Sequence, residues 1–319
     1  MPVVKADAYR HGSIEISKIL EAEGVKWLAV SNVEEGIALR EAGIAARILV
    51  MADYLPENRP LFKEFGLTPV IHSLADAVTA EVPYHLKVDS GMGRLGVCES
   101  PAAIALSVAA TPLEGLMTHF ASSANYQSPQ TDQQIARFES VIKATGRPRY
   151  VHLSSTIPVA YQRTDAWGNL VRPGHAIYGY VSPSRGGPEM RLHVKPALTW
   201  KATVLSVKEL QAGALVGYGG IHKTAKPTRV AILAAGYADG IPHRLSNRGK
   251  VIANGKLLPI LGAVSMDLTT IEAGDLRVGE AVTILGPGND AQDIARIAGT
   301  ISYSVLCGIS ARVKRVYVD

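Results

Sequence analysis

Along the first half of the chain, short apolar runs alternate with stretches of helical periodicity. The runs are VVKA (3–6), KWLAVS (26–31), ARILVM (46–51), TPVIHS (68–73), YHLKVD (84–89), EGLMTHF (114–120), YVHLSS (150–155) and NLVRPG (169–174). They are nearly continuous rather than alternating, the pattern of strands buried on both faces of a parallel sheet. Between the first two, SIEISKILEAEG (13–24) spaces Ile14, Ile16, Ile19 and Leu20 as the apolar stripe of a helix that stops at Gly24. VEEGIALREAG (33–43) predicts a second helix. Eight β units in this length predict a TIM-like (β/α)8 barrel rather than an open doubly wound sheet.

The pattern changes at SPSRGGPEM (182–190), which reads as a linker. Beyond it lie strand-like segments: 197–210, 229–240, 249–262, 267–273, 281–286 and RVKRVYVD (312–319). One helix is expected there, DAQDIARIAGT (290–300), with Asp290 as its N-cap. The expected division is a barrel over 1–188 and a mostly antiparallel β-domain over 189–319. The eighth barrel strand runs into the second domain without a helix of its own. Nothing precedes the first strand to replace that helix, so one barrel face is expected to be thinly covered.

Composition narrows the function classes. The chain has 319 residues, 47% apolar and 19% charged, which fits a folded protein of about two domains. Its net charge of +5 is scattered. The densest basic cluster is Arg312, Lys314 and Arg315, so no stripe suited to nucleic acid or a membrane surface is seen. Two cysteines, Cys98 and Cys307, make neither a disulfide framework nor a zinc site and predict a reducing, cytoplasmic setting. No apolar run has the length of a membrane span, and the opening MPVVKADAYR does not read as a secretion signal. The nine histidines include no HxxxH or HxH pair, so no metal site is expected. GMGRLG follows a strand but lacks the acidic residue of a dinucleotide fingerprint.

The polar residues at the C-terminal ends of the expected strands carry the chemistry, since active sites form on that rim of a barrel. They are Lys5, His72, Asp89, His119, Ser154, Ser155 and Arg172. A desolvated rim lysine has a lowered pKa and can condense with an aldehyde. Taken alone, Lys5 reads better as a solvated surface lysine. Its neighbours alter that reading. VVKADAYRHG (3–12), HLKVDSGMGRLGV (85–97), LEGLMTHFASS (113–123), VRPGHAIYG (171–179), GYADG (236–240), SMD (265–267) and SYSVLCGISARV (302–313) occur in this order. Together they resemble the alanine racemase family of pyridoxal 5′-phosphate (PLP) enzymes, over nearly the whole chain.

The resemblance implies roles. Lys5 would hold PLP and act as the base on one face of the substrate Cα. Tyr237 would be the base on the other face, supplied by a second copy of the chain in a homodimer. Two bases suit a reaction that removes a proton from one face and delivers it to the other. Arg172 would face the pyridine nitrogen. A permanent cation there disfavours protonation of that nitrogen and makes the cofactor a weaker electron sink. His119 and His152 would orient Arg172. Tyr9, Ser155, Thr156, Gly174, His175 and Tyr303 would serve the phosphate, with Gly174 and His175 giving backbone N–H groups. Arg94 would bind the cofactor's phenolic oxygen or the substrate carboxylate, and Lys87 matches a lysine that is often carbamylated. Met266 and Asp267 would line the substrate entrance, and Tyr303 would keep the pocket small.

Two departures stand out. Arg10 follows Tyr9 where the family usually has glycine, and Ser155 stands where it usually has asparagine. The expected activity is interconversion of L- and D-alanine, with D-alanine destined for peptidoglycan. A broad-specificity racemase is opposed by Tyr303. A decarboxylase of basic amino acids is opposed by Arg172 and the sparse cysteines. A single-barrel PLP carrier would not need residues 189–319. A chain that keeps the fold and binds PLP with little activity is suggested by Arg10, Ser155 and the thin barrel face.

Overall fold

In a computed structural model of the chain, describing residues 1–318, the polypeptide forms two compact units. The first comprises Met1–Ala8 and Gly12–Lys195, the second Tyr9–His11 and the chain from Pro196 onward.

The first unit holds six parallel strands: β1 (Trp27–Val30), β2 (Arg47–Val50), β3 (Leu67–Ile71), β4 (Tyr84–Lys87), β5 (Leu113–Met117) and β6 (Tyr150–His152). They hydrogen-bond in chain order in a barrel-like parallel sheet. Every residue of β1, β3 and β4 is buried, as their unbroken apolar runs require. Local chemistry sets the helices between them. Asn32 caps Val33–Glu41 by accepting from Glu35 N, and Ser100 caps Pro101–Val108, which opens on proline. Ile104, Phe138 and Val141 from the helices pack on Leu86, Leu116 and Val151 from the strands.

Two of the eight expected strands do not form as strands. At 3–6, Val3 makes a single parallel bridge to Ala29, and the chain turns helical from Lys5. At 169–174 no strand forms, Asn169 lying in a turn. The first segment is cut short by the helix that starts at Lys5, and Pro173 interrupts the second by removing an N–H donor. Their remaining bonds are specific: Val4 N donates to Ala29 O at 2.8 Å, Val3 N to Pro173 O at 2.9 Å and Arg172 N to Ser154 O at 2.9 Å.

The helix Ser13–Ala22 also departs from expectation. Ile14 and Ile19 are exposed, and the residue it buries is Ser17. The Lys5–Arg10 helix is more unusual. Ala6, Asp7, Ala8, Tyr9 and Arg10 have φ of 52°, 54°, 52°, 53° and 66°, so it winds left-handed. Such a turn costs L-residues roughly 1–2 kcal/mol each. Side chains hold it in place. Glu35 accepts from Ala6 N at 2.6 Å and from Ser31 N at 2.8 Å, and Asp7 accepts from Ser13 N at 2.7 Å.

The second unit is a six-stranded sheet with antiparallel pairings. Its strands are β7 (Trp200–Leu210), β10 (Thr228–Leu233), β11 (Lys250–Ala253), β12 (Lys256–Pro259), β13 (Thr269–Glu272) and β14 (Ala281–Leu285), in the order β12-β11-β14-β7-β10-β13. A separate hairpin pairs β8 (Leu215–Val216) with β9 (His222–Lys223). The helix Ala291–Ala298 starts in a capping box at Asp290 and ends at Gly299 in the left-handed region. A second helix, Ser302–Cys307, lies where none was expected. Conversely, RVKRVYVD does not pair as a strand over its described residues, Asp319 lying outside them. The Arg315 guanidinium ties the carbonyls of Ser310, Val313 and Arg10 there instead.

Candidate active site

The strand ends of the first unit gather a set of cations. Arg172 is 3% exposed. Its Nη1 donates to His152 Nδ1 and to His152 O, both at 2.8 Å, and its Nη2 donates to Thr118 O at 2.6 Å and Leu153 O at 3.0 Å. Its Nε has no hydrogen-bond partner among the described residues. Burial draws the Arg172 pKa down to about 9, so the group is still cationic at neutral pH. Two of the four Arg172 hydrogen bonds go to His152. His119 does not hydrogen-bond to Arg172, and the carbonyls of Thr118 and Leu153 take the other two. His119 is held neutral, its pKa lowered to about 3 by burial and then by the charges of Arg172, Lys87, Arg94 and Lys5.

Lys87 ends β4 and is buried. Its Nζ has no hydrogen-bond or ion-pair partner among the described residues. Burial lowers its pKa to about 8, aided by Arg94, Arg172 and Lys5, with Asp89 opposing. Asp89 has little charge to spare. Its carboxylate accepts four backbone N–H groups, from Gly91, Met92, Gly93 and Arg94, at 2.8–3.1 Å. Burial raises its pKa and those four donors more than offset this. The GMGR turn is therefore wound around the Asp89 carboxylate, which leaves the Arg94 side chain exposed.

The next loop is organised by Thr156. Its Oγ1 accepts from Gly174 N at 3.1 Å and Ala176 N at 3.3 Å. The Gly174 N–H, expected to reach a phosphate directly, is thus committed to Thr156. With two donors on its oxygen, the Thr156 hydroxyl is left to donate its proton outward. The Ser155 hydroxyl, at the N-cap of Thr156–Ala160, makes no capping bond. His175 is buried and stacks on Tyr180 with centroids 5.1 Å apart.

The expected residues of the second unit form two groups. Tyr9 and Tyr303 rings lie 5.9 Å apart, and burial raises both phenol pKa values, Tyr9 further through Tyr303 and Cys307. Tyr237 and Met266 are tied through the backbone. Tyr237 N donates to Ser265 O and Ala238 N to Met266 O, both at 2.9 Å. Gly236 is required there, because a Cβ would sit 2.3 Å from the carbonyl oxygens of both Ser265 and Met266. Tyr237 and Met266 are 45% and 53% exposed, and the Tyr237 hydroxyl makes no hydrogen bond among the described residues. Asp267 pairs with Arg312 at 2.8 Å.

A phosphorylated pyridine aldehyde fits this donor set. The charges of Lys5, Lys87, Arg94 and Arg172 all act on His119, and the Asp89 carboxylate already has four N–H donors. Arg172 keeps one donor for a ring acceptor, and Thr156 and Ser155 keep hydroxyls for an anion. Among the described residues no cluster of His, Cys, Asp and Glu could hold a metal ion, and no helix is long and apolar enough to cross a membrane.

Comparison with known proteins decides the family. Residues 1–183 match the family "Alanine racemase, N-terminal domain" and 197–317 match "Alanine racemase, C-terminal domain". The chain belongs to the alanine racemase family. An alanine racemase of Carboxydothermus hydrogenoformans is 40% identical over 100% of this chain and 92% of its own length. The alanine racemase structure from Clostridium difficile superposes with a TM-score of 0.93 at 32% identity, covering 99% of this chain and 88% of that one. The Bartonella henselae alanine racemase, solved with covalently bound pyridoxal phosphate, gives 0.90 at 27% identity, covering 99% and 92%.

Several contributors were absent from the sequence reading. The carbonyls of Thr118 and Leu153 carry no side-chain signal. Asp89 was placed on the rim, but not as the hub of the GMGR turn. Glu35, which pins the turn after Lys5, looks like any helix-face glutamate. Gly115, by contrast, did leave a signal, as an isolated glycine inside a strand pattern.

Proposed function

We propose that the chain interconverts L- and D-alanine with PLP held by Lys5, and that it works as a cytoplasmic homodimer supplying D-alanine for peptidoglycan. The observation that carries this reading is Arg172: a buried cation whose Nη atoms are all committed and whose Nε is kept for a ring acceptor. When bound, PLP draws electrons from the amino acid and acidifies the proton on Cα. The chain's own residues do the rest. The Lys5 amine takes or gives that proton on one face. The Tyr237 phenol of a second copy does the same on the opposite face, in keeping with its exposure and its lack of a hydrogen-bond partner among the described residues. Arg94 holds the cofactor's phenolic oxygen or the substrate carboxylate. Thr156, Ser155, His175, Tyr9 and Tyr303 serve the phosphate. Met266 and Asp267 line the entrance, and Tyr303 limits the substrate to a small side chain.

Lys87 is the residue proposed for carbamylation. A lysine with a pKa near 8 has a neutral fraction at physiological pH. Its Nζ lone pair bonds to the carbon of CO2 and one N–H proton passes to water. The resulting carbamate anion gives Arg94 a partner. For the architecture, we propose that the segments at 2–4 and 169–173 close the sheet as an eight-stave (β/α)8 barrel, supported by Val3 N bonding Pro173 O and Val4 N bonding Ala29 O. The proposed domain division is 1–188 and 189–319.

The test is deuterium exchange at Cα for a panel of D- and L-amino acids in D2O, using protein loaded with PLP. Exchange and inversion are expected with both alanine enantiomers and to fall steeply with larger side chains. Absence of exchange with alanine overturns the proposal. Sedimentation should give a dimer, and an active monomer would remove the shared site.

A further inference from the structure

The hydrogen-bond chain from Arg172 does not end at His152. His152 Nε2 lies 2.8 Å from His85 Nδ1, and neither ring is exposed. Donor and acceptor rules leave one proton assignment. A guanidinium only donates, so His152 Nδ1 must accept from Arg172 Nη1. The His152 proton then sits on Nε2 and is donated to His85 Nδ1. The His85 proton in turn sits on Nε2, 4.0 Å from Glu114 Oε2. Glu114 is gripped by Arg47 through two bonds of 2.7 and 2.6 Å, and the Arg47 guanidinium lies 4.0 Å over the Trp27 ring. Burial, then neighbouring arginine charges, keeps both histidines neutral, with the His85 pKa lowered to about 3.

Gly115 opens the passage between the two rings. His85 is on β4, His152 on β6, and β5 runs between them. Gly115 of β5 is in register with His85 on one side and Tyr150 on the other. A Cβ at position 115 would lie 2.7 Å from His85 Cγ and Cδ2 and 2.8 Å from Nδ1. Any side chain there would evict the imidazole. Only by omitting it on the middle strand can a side chain of β4 reach one of β6.

We propose that His85 is a positioning residue for the racemase reaction. Through the gap left by Gly115 it fixes the tautomer of His152, and the fixed His152 holds Arg172 against the ring nitrogen of PLP. Without His85, the His152 Nε2 proton loses its buried acceptor, so the tautomer that Arg172 Nη1 selects is held from one side only. Whenever the proton moves to Nδ1 it faces that donor, and the guanidinium has to shift. The inference rests on the reading that Arg172 faces the cofactor's ring, so its test has one arm that needs no cofactor.

That arm is imidazole 15N–1H correlation on the cofactor-free protein. In the wild type, His85 and His152 should both be neutral with the proton on Nε2. In His85→Phe, the His152 pattern should change to a tautomer mixture. His85→Asn, whose Oδ1 can replace Nδ1 as acceptor, should restore it. Gly115→Ala should reproduce the His85→Phe pattern with both histidines present. The second arm uses loaded protein. His85→Phe and Gly115→Ala should shift the cofactor's visible absorption and lower kcat about tenfold, with KM for alanine changed less than about twofold, and His85→Asn should recover most of the loss. A purely structural role would lower stability without moving the tautomer signature or the spectrum. A wild-type His152 that is protonated on Nδ1 overturns the proposal, as does His85→Phe with unchanged spectrum and kcat. If His85→Phe does not fold, Gly115→Ala and the wild-type tautomers decide. If the wild type binds no PLP, the cofactor reading fails while the tautomer arm still reports on the relay.

Discussion

Arg172 and Tyr237 are assigned to the same reaction, yet they sit in opposite environments. Arg172 is sealed in the first unit with every Nη hydrogen bond assigned. Tyr237 is 45% exposed on a backbone turn of the second unit, its hydroxyl making no hydrogen bond among the described residues. The difference separates two design problems. An electrostatic group that must keep its charge and place before substrate arrives is best built into one chain's core, where reorganisation is already complete. A base that must reach the far face of Cα can be left unfinished on a surface and completed by a second copy.

The largest effect expected from this contrast is on stability. Arg172→Ala strands three buried carbonyls and a histidine acceptor, so it should cost on the order of 3–5 kcal/mol in denaturant unfolding as well as nearly all activity. Tyr237→Phe should leave unfolding within about 0.5 kcal/mol of wild type while lowering kcat about 10²–10⁴-fold, more for one enantiomer than the other. If Tyr237→Phe destabilises as much as Arg172→Ala, or slows both directions equally, the contrast collapses.

The same contrast governs what could be read in advance. GMGR was legible as a string but not as a turn wound on Asp89, although that hub lies within five residues of every N–H it accepts. The Tyr237 and Met266 motifs were legible as strings, although the close approach that joins them is visible only at Gly236. The carbonyl partners of Arg172 were not legible: they come from Thr118 and Leu153, just past β5 and β6, and carbonyls look alike in every residue. The left-handed helix after Lys5 gave no warning either, since five consecutive non-glycine residues normally argue against positive φ. Eight apolar runs suggested eight strands, but the turn to helix at Lys5 cuts the first short and Pro173 interrupts the last.

A smaller and pH-dependent effect should come from Lys87, which belongs to the buried side of the contrast. Its folded pKa of about 8 lies below the ordinary 10.5. Between those values the unfolded chain binds more protons, so stability should rise with pH across that window. Below pH 8 the buried charge costs roughly 3 kcal/mol. Lys87→Met should therefore stabilise the cofactor-free, CO2-free protein most below pH 8, and the gain should fade as pH rises toward 10.5. Bicarbonate should stabilise the wild type near pH 8 and not the variant, because a carbamate removes the buried cation. A pH-independent gap between the two would show that Lys87 is not desolvated as described.

The smallest effect tests the strained turn that carries Lys5. Arg10 closes it at φ 66°, the position where the family usually has glycine. Relieving left-handed strain should return roughly 1–2 kcal/mol, and the extra freedom of glycine in the unfolded chain should take back about 0.5–1 kcal/mol. Arg10→Gly is therefore expected to stabilise by about 0–1.5 kcal/mol in denaturant unfolding, since the Arg10 carbonyl that receives Arg315 Nε is kept. Ala8→Gly, in the same turn at φ 52° but fully buried, separates strain from packing. If backbone strain dominates, both variants stabilise. If Ala8→Gly destabilises while Arg10→Gly stabilises, contacts of the Ala8 methyl hold the turn as much as Glu35 and Asp7 do. Destabilisation by Arg10→Gly would mean that the arginine side chain makes an attachment worth more than the strain it imposes.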